Sequence, residues 1–341
     1  MKNLGVLDSK LAIAVVIPAY RTADRITRVL QTIPEFVSTI VVVDDASPDD
    51  LHRLVSECAQ VDPRIHLVHH PINKGVGGAM LTGYKTALAL KAGLLVKMDS
   101  DGQMDPAYIQ PMLAPILSGK ADYTKGNRFL HNNALAKMPV IRLMGNLALS
   151  FLTKAASGYW NIFDPTNGFT AMHASLFQML DIDQIAQDYF FETSMLIELS
   201  IRRAVVRDVY IPAVYVGASS SLSELKSLYT FPVRLMRGCL RRILIQYFIR
   251  DFNTLSLLLV SGLVMCLFGM VWGGFHWWRS IAIGIPATTG TVMLAVLPLI
   301  LGVQFLLQAL MLDIQNVPTQ PLNVSGDTEL WSGQPSEGRG C

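Results

Sequence analysis

The stretch VKMDSDGQMDP, residues 96–106, places Asp99 and Asp101 one residue apart directly after an apolar run. Alternate residues on an extended segment point the same way. Both carboxylates can therefore face a single divalent cation and leave positions for phosphate oxygens and water, which is how Mg²⁺ is usually held. The competing reading is an acidic turn. The neighbouring segments decide between the two.

Apolar, β-branched runs occur at 11–17, 39–43, 65–68 and 94–98, with helical patterns at 24–33, 49–60 and 76–91 between them. Strand alternating with helix implies an α/β fold, a mainly parallel sheet with helices on both faces. Such sheets bind ligands at the carboxyl ends of their strands. The four exits are IPAY (17–20), DDASPDD (44–50), NKGVGG (73–78) and DSD (99–101). Together they form one rim and hence one site. Asp44, Asp45 and Ser47 also suit helix capping. The glycines of NKGVGGAMLTG (73–83) fail the dinucleotide fingerprint, because Met80 takes its last position. Gly75, Gly78, Ala79 and Gly83 instead let a helix pack closely on the sheet. His66, His69 and His70 cluster on the third strand, but no acidic or cysteine partner lies at metal spacing in the sequence.

Composition adds a second theme. The chain has 341 residues, 51% hydrophobic and only 16% charged, against about 25% charged in a typical soluble domain. Mean hydropathy is +0.37. A net charge of +2 gives no basis for nucleic-acid binding. Cys58, Cys239, Cys266 and Cys341 lie far apart, without metal or disulfide spacing. The run at 11–17 follows Asp8 and Lys10, ends at Pro18, and reads as a strand rather than a signal peptide. The excess apolarity sits late. Residues 255–275 and 281–312 carry no charge, and roughly 20 apolar residues span a bilayer as helix. The link HWWRS (276–280) is short, which predicts a hairpin with Trp277 and Trp278 in the aromatic belt. Arg234, Arg237, Arg241, Arg242 and Arg250 precede it, so the positive-inside rule predicts residues 1–250 in the cytoplasm, and two spans return the tail to the same side. Leu228, Phe231, Leu235, Leu240, Ile243, Leu244 and Tyr247 follow helical spacing, with Arg234, Arg237 and Arg241 on another face. That pattern suits an interfacial amphipathic helix, or a helix packed on the catalytic domain. The expected organisation is a catalytic domain (1–220), a juxtamembrane helix (221–252), two membrane helices (253–315) and a disordered cytoplasmic tail (316–341).

The set VVIPAYRTADRI, VVVDDASPDD, NKGVGGAMLTGY, KMDSDGQMDP and KGNRF resembles glycosyltransferase family 2, enzymes of the GT-A fold that use nucleotide sugars. With the hairpin, the chain is similar to the dolichyl-phosphate mannose synthase and bacterial polyprenyl-phosphate glycosyltransferase branch. The resemblance implies a nucleotide-sugar pocket at Pro18, Ala19, Tyr20, Val43, Asp44, Asp45, Met98, Asp99 and Ser100. It implies Mg²⁺ or Mn²⁺ at Asp99 and Asp101, with Gln103 as a third metal-side ligand. Catalytic roles fall to Asp101, Arg128 and Asp164, and Arg128 and Lys226 meet an acceptor phosphate. DPTNGF (164–169) resembles the loop beneath the acceptor. Thr22 stands where the mannosyl branch carries an acid, and 215–227 has Lys226 but no arginine. The nucleotide and the sugar stay open. The implied reaction inverts the anomeric centre. The implied partners are a nucleotide-diphosphate sugar, a polyprenyl phosphate lipid and the membrane, with a homo-oligomer compatible. A lipid phosphate arrives ionised, since its second pKa is about 6. A sugar hydroxyl, the acceptor of a transferase that extends a lipid-linked glycan, would need a base, with Asp164 and Glu192 the candidates. A non-catalytic membrane organiser is the third alternative, and the intact DSD argues against it.

Overall fold

The computed structural model describes residues 11–128, 140–212 and 224–322, with side chains from 149 and 231 onward in the latter two segments. Strands β1 (Ile13–Ala19), β2 (Thr39–Asp44), β3 (Ile65–His69) and β4 (Leu94–Lys97) alternate with helices α1 (Ala23–Gln31), α2 (Leu51–Val61) and α3 (Gly75–Ala89). Helix α4 (Ile109–Leu117), β5 (Tyr123–Asn127), α5 (Val140–Ser157), β6 (Thr170–His173), α6 (Ala174–Met179), α7 (Phe191–Ile201) and β7 (Val206–Tyr210) complete the catalytic part. The seven-stranded sheet has the order β3-β2-β1-β4-β6-β5-β7. All pairings are parallel except those of β6, which runs antiparallel to both β4 and β5.

Strands β1 and β2 are buried along almost their whole length, as expected of a sheet covered on both faces. One apolar layer joins Ala14, Val16, Val41 and Val43 to α3 and α7. The other joins Val15, Ile17, Val42 and Val96 to α1, α2 and α4. Gly83 is what lets α3 lie so close: a Cβ there would run into Val16 and come within 3.1 Å of Val43.

Helix α8 (Glu224–Leu244) continues through a π-helical turn, Ile245–Arg250. Phe231 and Leu235 pack beside Ile197 and Ile201 of α7, and Tyr247 is buried where the hairpin begins. Val233, Met236, Leu240 and Leu244 remain exposed. The helix thus has two apolar stripes, one against the catalytic domain and one open. The open stripe forms an apolar groove of about 780 Å³, away from the acidic pair.

Helices α9 (Thr254–Ile283) and α10 (Thr289–Gln315) form the hairpin. At 30 and 27 residues they are about 45 and 40 Å long, beyond the roughly 30 Å of a bilayer's hydrocarbon core. The turn differs from the expected one. HWWRS stays helical, and the chain reverses between Gly284 and Thr288. Gly284 adopts φ +70° and closes α9, and Thr288 accepts from the Thr291 N–H to open α10. Histidine, tryptophan and arginine have no reason to stop a helix, whereas a left-handed glycine followed by Pro286 does.

The first residues of the expected disordered tail, 316–322, are ordered. Val317 and Leu322 pack against the sheet-side core, and the Leu322 N–H donates to Asp122 at 2.9 Å. Residues 323–341 lie outside the described ones.

Candidate active site

The four strand exits converge as their spacing predicts. A cavity of about 630 Å³ is lined by Pro18, Ala19 and Tyr20 after β1, Asp45 after β2, Gly75 at the start of α3, and Asp99, Ser100 and Asp101 after β4. Thr166 and Gly168 of the DPTNGF loop close one side, and Asp188, Tyr189, Glu192 and Phe231 another.

Each acidic side chain has a distinct setting. Asp99 Oδ1 accepts from Lys97 Nζ at 2.7 Å. Asp101 Oδ1 accepts from the Gln103 N–H at 2.9 Å. The second oxygen of each carboxylate has no protein hydrogen bond among the described residues, which suits a hard cation that takes one or two carboxylates. Burial raises the Asp101 carboxyl above its usual range, with Asp99 adding to it and the Gln103 N–H opposing it. Gln103 thus contributes its backbone N–H to Asp101, and its side chain is not part of the cavity wall. Lys97 is 1% exposed and bridges Asp99 to Glu192, the latter at 3.1 Å. Burial alone would lower its ammonium, but the two carboxylates outweigh that and hold it above the ordinary lysine value. Gly168 makes room for this cluster, since a Cβ there would strike Lys97 Nζ and come within 2.6 Å of Asp99 Oδ2.

The β2 exit splits two adjacent carboxylates. Asp45 turns toward the cavity and is pinned by the Lys74 and Gly75 N–H groups, both at 2.8 Å, and by His70 Nδ1 at 2.7 Å. Asp44 turns the other way. Its Oδ1 accepts from the Ser47 N–H, and its Oδ2 lies 2.9 Å from His69 Nδ1. Neither caps α2, whose N-cap is Asp50. Arg21 and Ala46 both hold positive φ, +54° and +55°. The loops that carry them are tied by the Arg21 N–H to Ser47 Oγ at 2.7 Å. Left-handed non-glycine residues concentrate at functional sites. Val43 and Met98 are fully buried and support the rim from behind.

Arg128 leaves β5 and forms a fork on Asp164, Nε to Oδ2 at 2.8 Å and Nη2 to Oδ1 at 3.2 Å. Asp164 is wholly buried, whereas Arg128 is 36% exposed. The carboxylate thus orients the arginine. Lys226 lies on α8, and its side chain is outside the described residues.

Sequence patterns missed Lys97, Asp188 and Tyr189 on the cavity wall. Lys97 carried one signal, a charge at the end of an apolar strand. Asp188 and Tyr189 sit in an irregular segment and carried none.

A mixed sheet with an acidic pair at its carboxyl edge and a cavity above it is the GT-A fold. Glucosyl-3-phosphoglycerate synthase from Mycobacterium tuberculosis, in complex with uridine diphosphate, shares that fold. Its TM-score is 0.52 at 21% identity, covering 68% of this chain and 81% of that one. The family model for glycosyl transferase family 2 matches residues 14–180. An uncharacterized protein of Methanocaldococcus jannaschii is 31% identical, covering 62% of this chain and 86% of its own length. The UDP-N-acetylglucosamine–dolichyl-phosphate N-acetylglucosaminyltransferase of Methanococcus voltae is 29% identical (60% and 86%). The undecaprenyl-phosphate mannosyltransferase of Micrococcus luteus is also 29% identical (60% and 84%). The chain belongs to glycosyl transferase family 2 and is a glycosyltransferase.

Proposed function

We propose that the protein transfers a sugar from a nucleotide-diphosphate sugar to a polyprenyl phosphate, with inversion, at the cytoplasmic face of a bacterial inner membrane. The observation that carries this is the Asp99–Asp101 pair, each with an oxygen facing a cavity that also borders α8, the helix leading into the hairpin. The names of the relatives in Methanococcus voltae and Micrococcus luteus support a polyprenyl-type phosphate as acceptor.

Pro18, Ala19, Tyr20, Asp45 and Ser100 would hold the nucleotide half of the donor. A divalent cation, Mg²⁺ or Mn²⁺, held by Asp99 and Asp101, would supply positive charge against the departing diphosphate. Lys97 keeps Asp99 aimed across the cavity. Arg128, fixed by Asp164, would balance the acceptor phosphate. That arrangement engages both Asp164 oxygens, and Glu192 is engaged by Lys97. Asp164 is therefore not left open as a base; Glu192 gives one oxygen to Lys97 and its Oε2 has no hydrogen bond among the described residues, but an ionised phosphate acceptor requires no base. The run of arginines before the hairpin supports the cytoplasmic placement, although Arg242 spends its charge inside the protein.

The test compares acceptors in membranes. Arg128→Lys should raise the lipid-acceptor KM about tenfold or more while leaving the donor KM within about twofold, because a point charge replaces a fork. Glu192→Gln should retain activity, and polyprenol should not replace polyprenyl phosphate. Loss of transfer in Glu192→Gln with donor binding intact, together with a working sugar-capped lipid acceptor, would transfer the protein to the chain-extending reaction.

A further inference from the structure

Behind the nucleotide rim, three side chains from three elements meet. Asp44 ends β2, His69 ends β3 as its register partner, and His52 lies in the first turn of α2. Asp44 Oδ2 is 2.9 Å from His69 Nδ1 and 3.5 Å from His52 Nδ1. The three donor atoms all lie within 4.8 Å of one another. The two imidazoles meet edge to face at 80°, with centroids 5.2 Å apart.

Three features distinguish this cluster from a chance surface group. Asp44 is 0% exposed, and a carboxylate taken out of water needs positive charge beside it. Among the described residues its ion-pair partners are these two histidines, with no lysine or arginine. The Asp44–histidine separations bracket the distance of about 3.3 Å between ligands set tetrahedrally around zinc at about 2.0–2.1 Å. The carboxylate is also aimed by an outer partner, the Ser47 N–H at 2.9 Å on its other oxygen, as ligands in metal sites are.

We propose that Asp44, His52 and His69 form a second metal site, separate from the Asp99–Asp101 pair and selective for Zn²⁺ or a similar borderline ion. Two imidazole nitrogens and one carboxylate oxygen suit such ions, whereas Mg²⁺ prefers oxygen alone. Both histidines are about half exposed, 57% and 49%, so the fourth position opens to water. The bound ion ties together the ends of β2 and β3 and the start of α2. Asp45, the next residue along, faces the nucleotide cavity. Zinc therefore stiffens the donor-binding rim without touching the reacting atoms.

The experiment uses the full chain in detergent micelles, carrying Asp99→Asn and Asp101→Asn so that the catalytic pair does not compete. The protein is stripped with EDTA, dialysed and titrated with Zn²⁺ or Mg²⁺. Expected are one Zn²⁺ retained per chain, a zinc-dependent rise in the thermal midpoint, no such response to Mg²⁺, and tetrahedral visible absorption with Co²⁺. His52→Ala, His69→Ala and the milder His52→Gln should each weaken zinc binding by about tenfold or more. Half-exposed positions leave the fold of these variants intact, which the midpoint without zinc checks. No retained zinc in the parent, or zinc retained equally in the three histidine variants, overturns the site.

Discussion

Removal of Asp313 should cost this protein about 3–5 kcal/mol, the range for breaking a buried ion pair from one side. Asp313 lies in the last turn of α10 and collects four donors. They are Arg242 Nη1 at 2.7 Å, Arg242 Nη2 at 3.0 Å, the Tyr247 hydroxyl at 2.7 Å and Trp160 Nε1 at 3.1 Å. The cluster joins the catalytic part, α8, the π-helical turn and the hairpin. In Asp313→Ala the Arg242 guanidinium, 2% exposed, keeps the Ala155 and Ala156 carbonyls and Gln246 but loses its counter-charge. Trp160 loses its carboxylate acceptor, adding about 1 kcal/mol or more. For a domain of this size each kcal/mol moves the thermal midpoint by about 2–4 °C, so the expected drop is about 10 °C. The assay is tryptophan fluorescence during heating in micelles, with proteolysis between α8 and α9 as a local readout. Replacing both partners, Arg242→Met with Asp313→Leu, should recover most of the loss, because the charge left behind is the larger cost. A single variant within about 1 kcal/mol of wild type, or a double variant no better than the single, would refute the reasoning.

Gly168→Ala should lower transfer about 100-fold, the scale of a 1 Å misplacement of a reacting group, because the new Cβ displaces Lys97 and Asp99; steady-state rates at saturating donor and metal check it. Lys125 is 1% exposed and donates to the Asn167 carbonyl, and burial lowers its ammonium to about 8. Its unfolded value is about 10.4, so the penalty is full below pH 8 and fades as pH rises toward 10.4, where the unfolded state holds more protons. Stability should therefore rise by up to about 3 kcal/mol across that window, and Lys125→Met should abolish the rise in urea melts taken from pH 7 to 10.5.

Much of the architecture is a local property and so was legible. The β-branched runs and the helical patterns between them have their own periods, and a period is visible without knowledge of partners. The rim followed from strand ends alone, because parallel strands put their exits on one edge. The hairpin was legible from length and absence of charge. Its turn was misplaced because composition gave the Trp-Trp pair more weight than the backbone preference of Gly284. Strands β5, β6 and β7 escaped for the opposite reason: each is only four or five residues long, and the place of β6 between β4 and β5 comes from pairing alone.

The chemistry divides in the same way. Asp99 and Asp101 declare themselves as two carboxylates one residue apart behind an apolar strand, although the expected extended segment ends at Lys97 and the chain turns at Ser100 and Asp101. The partners that govern them do not. Glu192 reaches Lys97 from α7, and Asp164 reaches Arg128 from 36 positions away. Arg242, counted in the sequence among the positive-inside arginines, is a buried partner of Asp313, 71 positions on. His69 had no acidic neighbour at metal spacing, yet the β2–β3 register sets Asp44 against it and α2 brings His52. The sequence by itself determined strands β1 to β4, the rim and the hairpin, since these depend on each segment's own hydrophobic period. Only the tertiary structure decided which charges meet, because contact between distant residues is set by sheet register and helix packing.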